Sequence, residues 1–385
     1  MKTNALAASA ALAIALSGPC ATAQQPKRGA GPDAAVNNWL RAQDPDKDGR
    51  IAKDEAKGPM KRFFQRNDTD KDGFLSRDEL KALAQRLGRN RSSQNNANRP
   101  PRQEQSMSTE DLLKRATEDI VIEPDLAYRP GASKAWRLDL VRPKADSETP
   151  RPGIVFVHGG GWRSGDKRKG TFLNGAIDYA KKGYVCITVN YRLTGEAPFP
   201  ACIEDVKCAV RWFRANAGKY NLDPKRIGGY GNSAGAHLVS ILGLIQSDAG
   251  LEGDGPHQEQ SSLLQAVCAS ATPTDFSLFT RRREDDTRFK NDRYPDVDLR
   301  KLCSPINHVR KGAPPFLLIH GTADKTVNVK HSDVFVEALE KAGANDVEYI
   351  RMEGAGHGVF GQHSKETAPA MEAFFARTLR RQAAR

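Results

Sequence analysis

Gly231-Asn232-Ser233-Ala234-Gly235 stands between a strand-like run, Lys225 to Tyr230, and an apolar helix-like run, Ala236 to Ile245. A strand that passes straight into a helix through Gly-x-Ser-x-Gly leaves the chain few ways to fold. The glycines permit a turn that a Cβ would block. A serine at the crest of that turn exposes its hydroxyl. The first amides of the following helix stay free to meet a developing negative charge. Five residues match by chance often enough that the surrounding chain must decide what the pattern means.

From residue 108 onward strands and helices alternate, the mark of an α/β fold with a mostly parallel, doubly wound sheet. Strands are expected at Asp119–Tyr128, Ala135–Arg142, Gly153–His158, Tyr184–Tyr191, Leu264–Ser270, Pro315–His320 and Val347–Met352. Helices are expected at Thr171–Lys182, Ile203–Ala217, Lys330–Lys341 and Thr367–Arg380. His158-Gly159-Gly160-Gly161-Trp162 follows one of these strands. Consecutive glycines at a strand end can aim several amides at one point, which suits an oxyanion hole. No Lys-Ser/Thr follows to make a phosphate loop, and His158 reads as a brace for the loop. In a fold with this elbow the acid follows the serine and the base follows the acid. Asp324 lies just past the strand ending at His320, with Asp275 as its rival. His357 lies in the glycine-flanked loop Gly354–Gly358, whereas His331 and His363 read as surface residues.

The N-terminal third has a different character. Lys2, the apolar stretch Ala5–Leu16 and Ala21-Thr22-Ala23 read as an export signal over residues 1–23. The expected location is secreted or periplasmic. Cleavage after Ala23 leaves Cys186, Cys202, Cys208, Cys268 and Cys303, an odd number that read as mainly buried thiols. A Cys202–Cys208 bridge stays open. Over residues 34–87 two acidic loops follow, Asp44-Pro45-Asp46-Lys47-Asp48-Gly49 through Glu55 and Asp68-Thr69-Asp70-Lys71-Asp72-Gly73 through Glu79. Acidic oxygens at loop positions 1, 3 and 5, glycine at 6 and glutamate at 12 are the requirements of an EF-hand calcium loop. Arg50 and Phe74 would add backbone carbonyls at position 7. The expected ligands are therefore Asp44, Asp46, Asp48, Arg50 and Glu55, and Asp68, Asp70, Asp72, Phe74 and Glu79, around Ca2+ in a structural role. Ala52 at position 9 of the first loop adds no side-chain ligand.

Residues 88–107 are rich in Asn, Gln, Ser, Arg and Pro and read as a linker. The formal net charge of +12 is consistent with this basic stretch. It offers either contact with an anionic surface or a plain tether. Nothing points to specific nucleic-acid binding. No run after the N-terminus approaches the ~18 apolar residues of a membrane span.

Taken together, His158–Trp162, Gly231–Gly235 with His237, His320–Asp324 and Gly356-His357-Gly358 resemble the α/β-hydrolase superfamily. The closer likeness is to esterases and lipases with a His-Gly-Gly-Gly oxyanion motif, in the acetyl-xylan and feruloyl esterase-like branch. The resemblance covers roughly residues 120–380 of a domain spanning 108–385. It implies a serine ester hydrolase with Ser233 as nucleophile, His357 as base and Asp324 as its orienting acid. It implies an oxyanion hole from the amides of Gly159, Gly160 and Ala234, with Gly161 as a further candidate, and no cofactor for the chemistry. The substrate would be a small-molecule or polysaccharide ester. Asn232 and Ala236 depart from the residues usual at those positions without removing a reacting group. Residues 276–301, dense in charge, read as a lid-like or acceptor-binding insertion. Two other readings stand beside this one: a peptidase of prolyl-oligopeptidase type, and a calcium-binding interaction protein with an inert hydrolase domain.

Overall fold

The computed structural model describes residues 32–57, 59–85, 107–279, 286–344 and 346–380. The expected export signal, all but the last residue of the expected linker, and residues 280–285 of the insertion lie outside them. The chain divides into two compact units, Met1–Pro100 and Pro101–Arg385.

The smaller unit runs α1 (Pro32–Gln43), β1 (Ile51–Ala52), α2 (Pro59–Asn67), β2 (Phe74–Leu75) and α3 (residues 77–85). β1 and β2 pair antiparallel, with Ile51 opposite Leu75. These are the apolar eighth positions of the two acidic loops. They bury fully between the helices, beside Val36, Leu40, Met60, Phe64 and Leu80. The short bridge couples the two loops, because neither strand is long enough to stand alone.

The larger unit begins with α4 (Thr109–Leu113), capped by the Ser108 side chain on the Asp111 amide. There follow β3 (Ile120–Ala127), β4 (Arg137–Pro143), β5 (Arg151–Val157), α5 (Gly170–Lys181), β6 (Val185–Val189) and α6 (Ala201–Ala215). Then come β7 (Leu222–Asn232), α7 (Ala234–Leu244), β8 (Ala266–Ser270), α8 (Leu299–Leu302), β9 (Phe316–Gly321) and α9 (Lys330–Lys341). β10 (Val347–Met352), α10 (Val359–Gln362) and α11 (Ser364–Leu379) close the unit. The strands form one eight-stranded sheet in the order β10-β9-β8-β7-β5-β6-β4-β3. β4 runs antiparallel to both its neighbours, and the remaining pairs are parallel. The expected mostly parallel sheet is present. Its central strands β5, β6, β8 and β9 are apolar on both faces because helices cover both faces.

β7 extends to Asn232 and α7 starts at Ala234, two residues before the helix that the apolar pattern predicts. Ser233 alone makes the turn, with φ 55° and ψ −119°. Two close approaches require glycine beside it. A Cβ on Gly235 would sit 2.0 Å from the Val157 carbonyl oxygen, and one on Gly231 would sit 2.3 Å from the Gly235 carbonyl. The elbow therefore lies directly against the end of β5. All five cysteines of the described residues are buried and unpaired, so Cys202 and Cys208 form no bridge. Burial pushes the thiols of Cys186, Cys202 and Cys268 up, which keeps them protonated and inert.

Replacing Gly235 with alanine forces a Cβ onto backbone that cannot rotate away. The expected outcome is a loss of at least about 1–3 kcal/mol of stability, read as a lower melting temperature. An unchanged melt would contradict the packing described.

Candidate active site

Parallel α/β sheets present their sites at the carboxyl ends of the strands. The glycine loop leaves β5 there, Ser233 leaves β7, Asp324 follows β9, and His357 follows β10. The structure brings the last three into one chain of hydrogen bonds. Asp324 Oδ2 lies 2.7 Å from His357 Nδ1, and His357 Nε2 lies 3.0 Å from Ser233 Oγ. Ser233 is 8% exposed and Asp324 5%. The imidazole between them is the more open group, at 29% side-chain exposure.

Asp324 is surrounded by donors. Its Oδ1 accepts from the Thr326 and Val327 amides at 2.7 and 3.0 Å. Its Oδ2 faces His320 Nε2 at 3.3 Å as well as His357. Burial by itself would raise the carboxyl, but these donors outweigh it and hold Asp324 well below the usual carboxylate range. It therefore stays ionised and can orient an imidazole and offset its charge. Asp275, the rival acid, caps a short turn by accepting from the Ser277 amide and has no bond to His357.

The glycine loop meets the serine. A Cβ on Gly159 would lie 3.4 Å from the Ser233 Cβ. The amides of Gly159, Gly160 and Ala234 find no acceptor among the described residues, whereas the Ser233 amide is taken by Ser270 O at 2.8 Å. Gly161 has φ 62° and open space at its Cα, so it is the least constrained of the four. His158 braces the loop: its Nδ1 donates to Gly159 O at 2.8 Å, and its ring stacks on Tyr191 at 4.4 Å. Beyond the loop, Lys167 and Arg168 bond to the buried Asp139 at 2.6 and 2.8 Å. That anchor fixes where the loop ends, because a buried carboxylate without its cations would be costly.

A family match and several related proteins complement this geometry. The BD-FAE family model matches residues 138–339, more than half of the chain. The chain belongs to the BD-FAE family. An EF-hand domain match covers residues 59–88, which contain the second acidic loop. Esterase LipC of Mycobacterium tuberculosis is 32% identical over 63% of this chain and 62% of its own length. The chain spans about three fifths of the length of the curated relatives it matches. A truncated carbohydrate esterase from gut microbiota superposes with a TM-score of 0.60 at 29% identity, over 68% of this chain and 97% of that one. Esterase 2 of Thermogutta terrifontis, phosphorylated by paraoxon, gives 0.57 at 28% identity, over 69% and 98%. The larger unit is an α/β-hydrolase fold.

In this BD-FAE domain two features escape a reading by motif. Trp162 Nε1 donates to His237 Nδ1 at 3.3 Å, and His237 Nε2 donates to Cys303 O at 2.7 Å. The tautomer follows, since Nε2 faces a carbonyl and Nδ1 faces an N–H. The loop that carries Gly159–Gly161 is thus tied to the helix behind Ser233. The signal was a histidine one turn after the serine, which sequence alone leaves without a partner. The second feature corrects an expectation. His331 is buried, not on the surface: its Nδ1 accepts the Thr274 amide at 3.3 Å and its carbonyl accepts the Thr274 hydroxyl at 2.6 Å. It starts α9 against the end of β8, and helical periodicity could not show which neighbour covers that turn.

The insertion is held along most of its described length. Phe199 N donates to Arg288 O at 2.7 Å, Asn291 Nδ2 donates to Phe199 O at 2.9 Å, and Phe289 stacks on Phe199 at 4.7 Å. Arg293 pairs with the buried Glu204 at 3.1 Å.

The acidic loops gather carboxylate donors suited to a calcium ion. Asp44, Asp46 and Asp48 each bring an oxygen within 4.8 Å of the others, as do Asp68, Asp70 and Glu79. Glu55 and Asp72 stand outside these groups. Glu55 accepts the Ala52 amide at 2.8 Å, and Asp72 accepts the Phe74 amide at 2.8 Å. Asp68 Oδ1 is buried and has no hydrogen-bond donor. An orphaned carboxylate oxygen beside two more carboxylates fits a hard cation. Among the described residues no helix is long and apolar enough to cross a membrane.

Three histidines, His158, His237 and His331, are pushed down to about 4 by burial. Unfolded, they titrate near 6.5. Between pH 6.5 and 4 the unfolded chain binds protons that the folded chain refuses, so stability falls as the pH falls, by about 1–3 kcal/mol per histidine at the acid end. Thermal melts are expected to show this decline, and His237→Phe to flatten it by roughly one proton. Parallel profiles for the two proteins would count against burial as the cause.

Proposed function

We propose that this chain is an exported serine carboxylic-ester hydrolase acting on short-chain or carbohydrate-linked esters, acetyl or feruloyl. One observation carries the chemistry: the unbroken hydrogen-bond chain from Asp324 through His357 to Ser233 Oγ. Ser233 Oγ attacks the ester carbonyl carbon while its proton passes to His357 Nε2. The carbonyl oxygen becomes an oxyanion facing the free amides of Gly159, Gly160 and Ala234, where fixed donors lower the barrier without reorganising. Collapse breaks the C–O bond to the alcohol, which takes the proton from His357. Water then attacks the acyl-serine, giving its proton to His357. That proton returns to Ser233 as the acid leaves. Asp324 stays ionised throughout and offsets the imidazolium charge.

Similar proteins and the charged insertion both support the substrate class. The similar proteins include a carbohydrate esterase and an esterase solved with butyrate bound. The described part of the insertion carries a charged cluster in which Asp286 pairs with Arg288 and Arg300. Such a cluster suits a sugar or other polar alcohol better than a long lipid chain. Export rests on Lys2, Ala5–Leu16 and the Ala21-Thr22-Ala23 cleavage pattern. A mature N-terminus at Gln24 is expected, and one at Met1 in the native host would oppose it.

Short p-nitrophenyl esters test the chemistry. The wild type is expected to turn them over, and Ser233→Ala to fall by at least about 10⁴-fold. Paraoxon, which phosphorylates the Thermogutta esterase, is expected to leave a diethylphosphoryl group on the Ser233 peptide and nowhere else. Turnover that survives Ser233→Ala would sink the reading.

We further propose that Ca2+ is a structural ion of the smaller unit, held by Asp44, Asp46, Asp48 and Glu55 and by Asp68, Asp70, Asp72 and Glu79, with the Arg50 and Phe74 carbonyls as further donors. A bound dication draws the carboxylates together and opposes unfolding. Chelator is expected to lower the melting of that unit and to change ester turnover by less than about twofold. Loss of turnover on chelation would tie the ion to the chemistry instead.

A further inference from the structure

His320 closes β9 and is fully buried, four residues before Asp324. Its Nε2 lies 3.0 Å from Val327 O and 3.3 Å from Asp324 Oδ2. Neither a carbonyl nor an ionised carboxylate carries a hydrogen, so Nε2 must supply one. Its Nδ1 lies 2.7 Å from Ser332 Oγ. A neutral ring with the proton on Nε2 accepts the Ser332 hydroxyl there. Ser332 is buried in the first turn of α9, so the helix fixes the ring. Val327 completes the clamp, giving its amide to Asp324 Oδ1 while its carbonyl receives His320. Two imidazoles thus converge on one oxygen, Asp324 Oδ2.

We infer that His320 is a positioning residue for the reaction, holding the Asp324 carboxylate aimed at His357 through its Nε2 edge, which gives its hydrogen to Val327 O and lies 3.3 Å from Oδ2, and itself set by Ser332. The inference rests on the ester-hydrolase reading. The two amides grip Oδ1 only. Without His320, Val327 O loses its donor and Oδ2 keeps only the more exposed His357. The carboxylate is then free to swing about its Cβ–Cγ bond, and the imidazole loses its fixed partner. Oriented partners of this kind matter most when charge develops on the base, so their loss appears in kcat rather than in KM.

The test compares kcat and KM on a short p-nitrophenyl ester for the wild type, His320→Leu, His320→Gln, Ser332→Ala and Asp324→Asn, and for His320→Leu and Ser332→Ala each combined with Asp324→Asn. The glutamine amide reaches the place of Nε2 and keeps a donor there. His320→Leu is expected to lose roughly 10- to 100-fold in kcat with KM within about twofold. His320→Gln is expected to recover to within about fivefold of the wild type. In the Asp324→Asn background the His320→Leu change is expected to add less than about twofold, because the group it positions has lost its charge. Losses that multiply in the double variant, a glutamine variant no better than leucine, or an unchanged kcat in folded His320→Leu would each overturn the inference. Should His320→Leu not fold, Ser332→Ala carries the decision. A kcat loss of about 3- to 10-fold that vanishes in Asp324→Asn supports the positioning role, and an unchanged kcat overturns it. Failure of the parent reading looks different, since there the wild type itself shows no turnover that depends on Ser233.

Discussion

The backbone of Ser233 holds a conformation that a non-glycine residue seldom adopts, with φ 55° and ψ −119°. The larger unit's site depends on that one turn. It converts a buried strand into a buried helix within a single residue, so the hydroxyl stands at the carboxyl end of the sheet's central strands instead of in its core. The strain persists because the surroundings leave no alternative. Gly235 lies under the Val157 carbonyl, Gly231 lies against Gly235, and the Ser233 amide is bonded to Ser270 O. Three neighbouring strands therefore fix one hydroxyl, and the free amide of Ala234 comes with the same geometry.

Around that turn the charged groups are arranged by burial. Asp324 remains ionised in a setting that would raise it, since every oxygen meets donors. His237 and His158 are held neutral in the core, where each ring nitrogen has one defined role. A protonated His237 would present a hydrogen to the Trp162 N–H, so the link between the glycine loop and α7 exists only in the neutral state. The buried Lys167 and Arg168, paired with Asp139 and Asp125, have the opposite character, being charged and mutually compensated. Both devices fix the same loop, one at its middle and one at its end.

Much of this was legible in the chain, and the reason differs by residue. Gly-x-Ser-x-Gly, three consecutive glycines and a 12-residue acidic loop are legible because the required backbone admits few residue types. Asp324 and His357 were legible through order and strand ends, given the elbow. Trp162, His237 and His331 were visible as letters, but their partners were not, because each partner comes from a distant element. α7 starts two residues before the point that apolar periodicity predicts, because periodicity locates a helix face and is blind to a strained first turn.

By itself the sequence determined which side chains could perform the chemistry and in what order the sheet would present them, since residue type and spacing set local backbone geometry. Tertiary structure decided which of them meet. Ser233 and His357 stand 124 positions apart, and Asp324 and His357 stand 33 apart. Distances of about 3 Å between such residues follow only from parallel strands packed side by side, where burial fixes each register and each hydrogen-bond role.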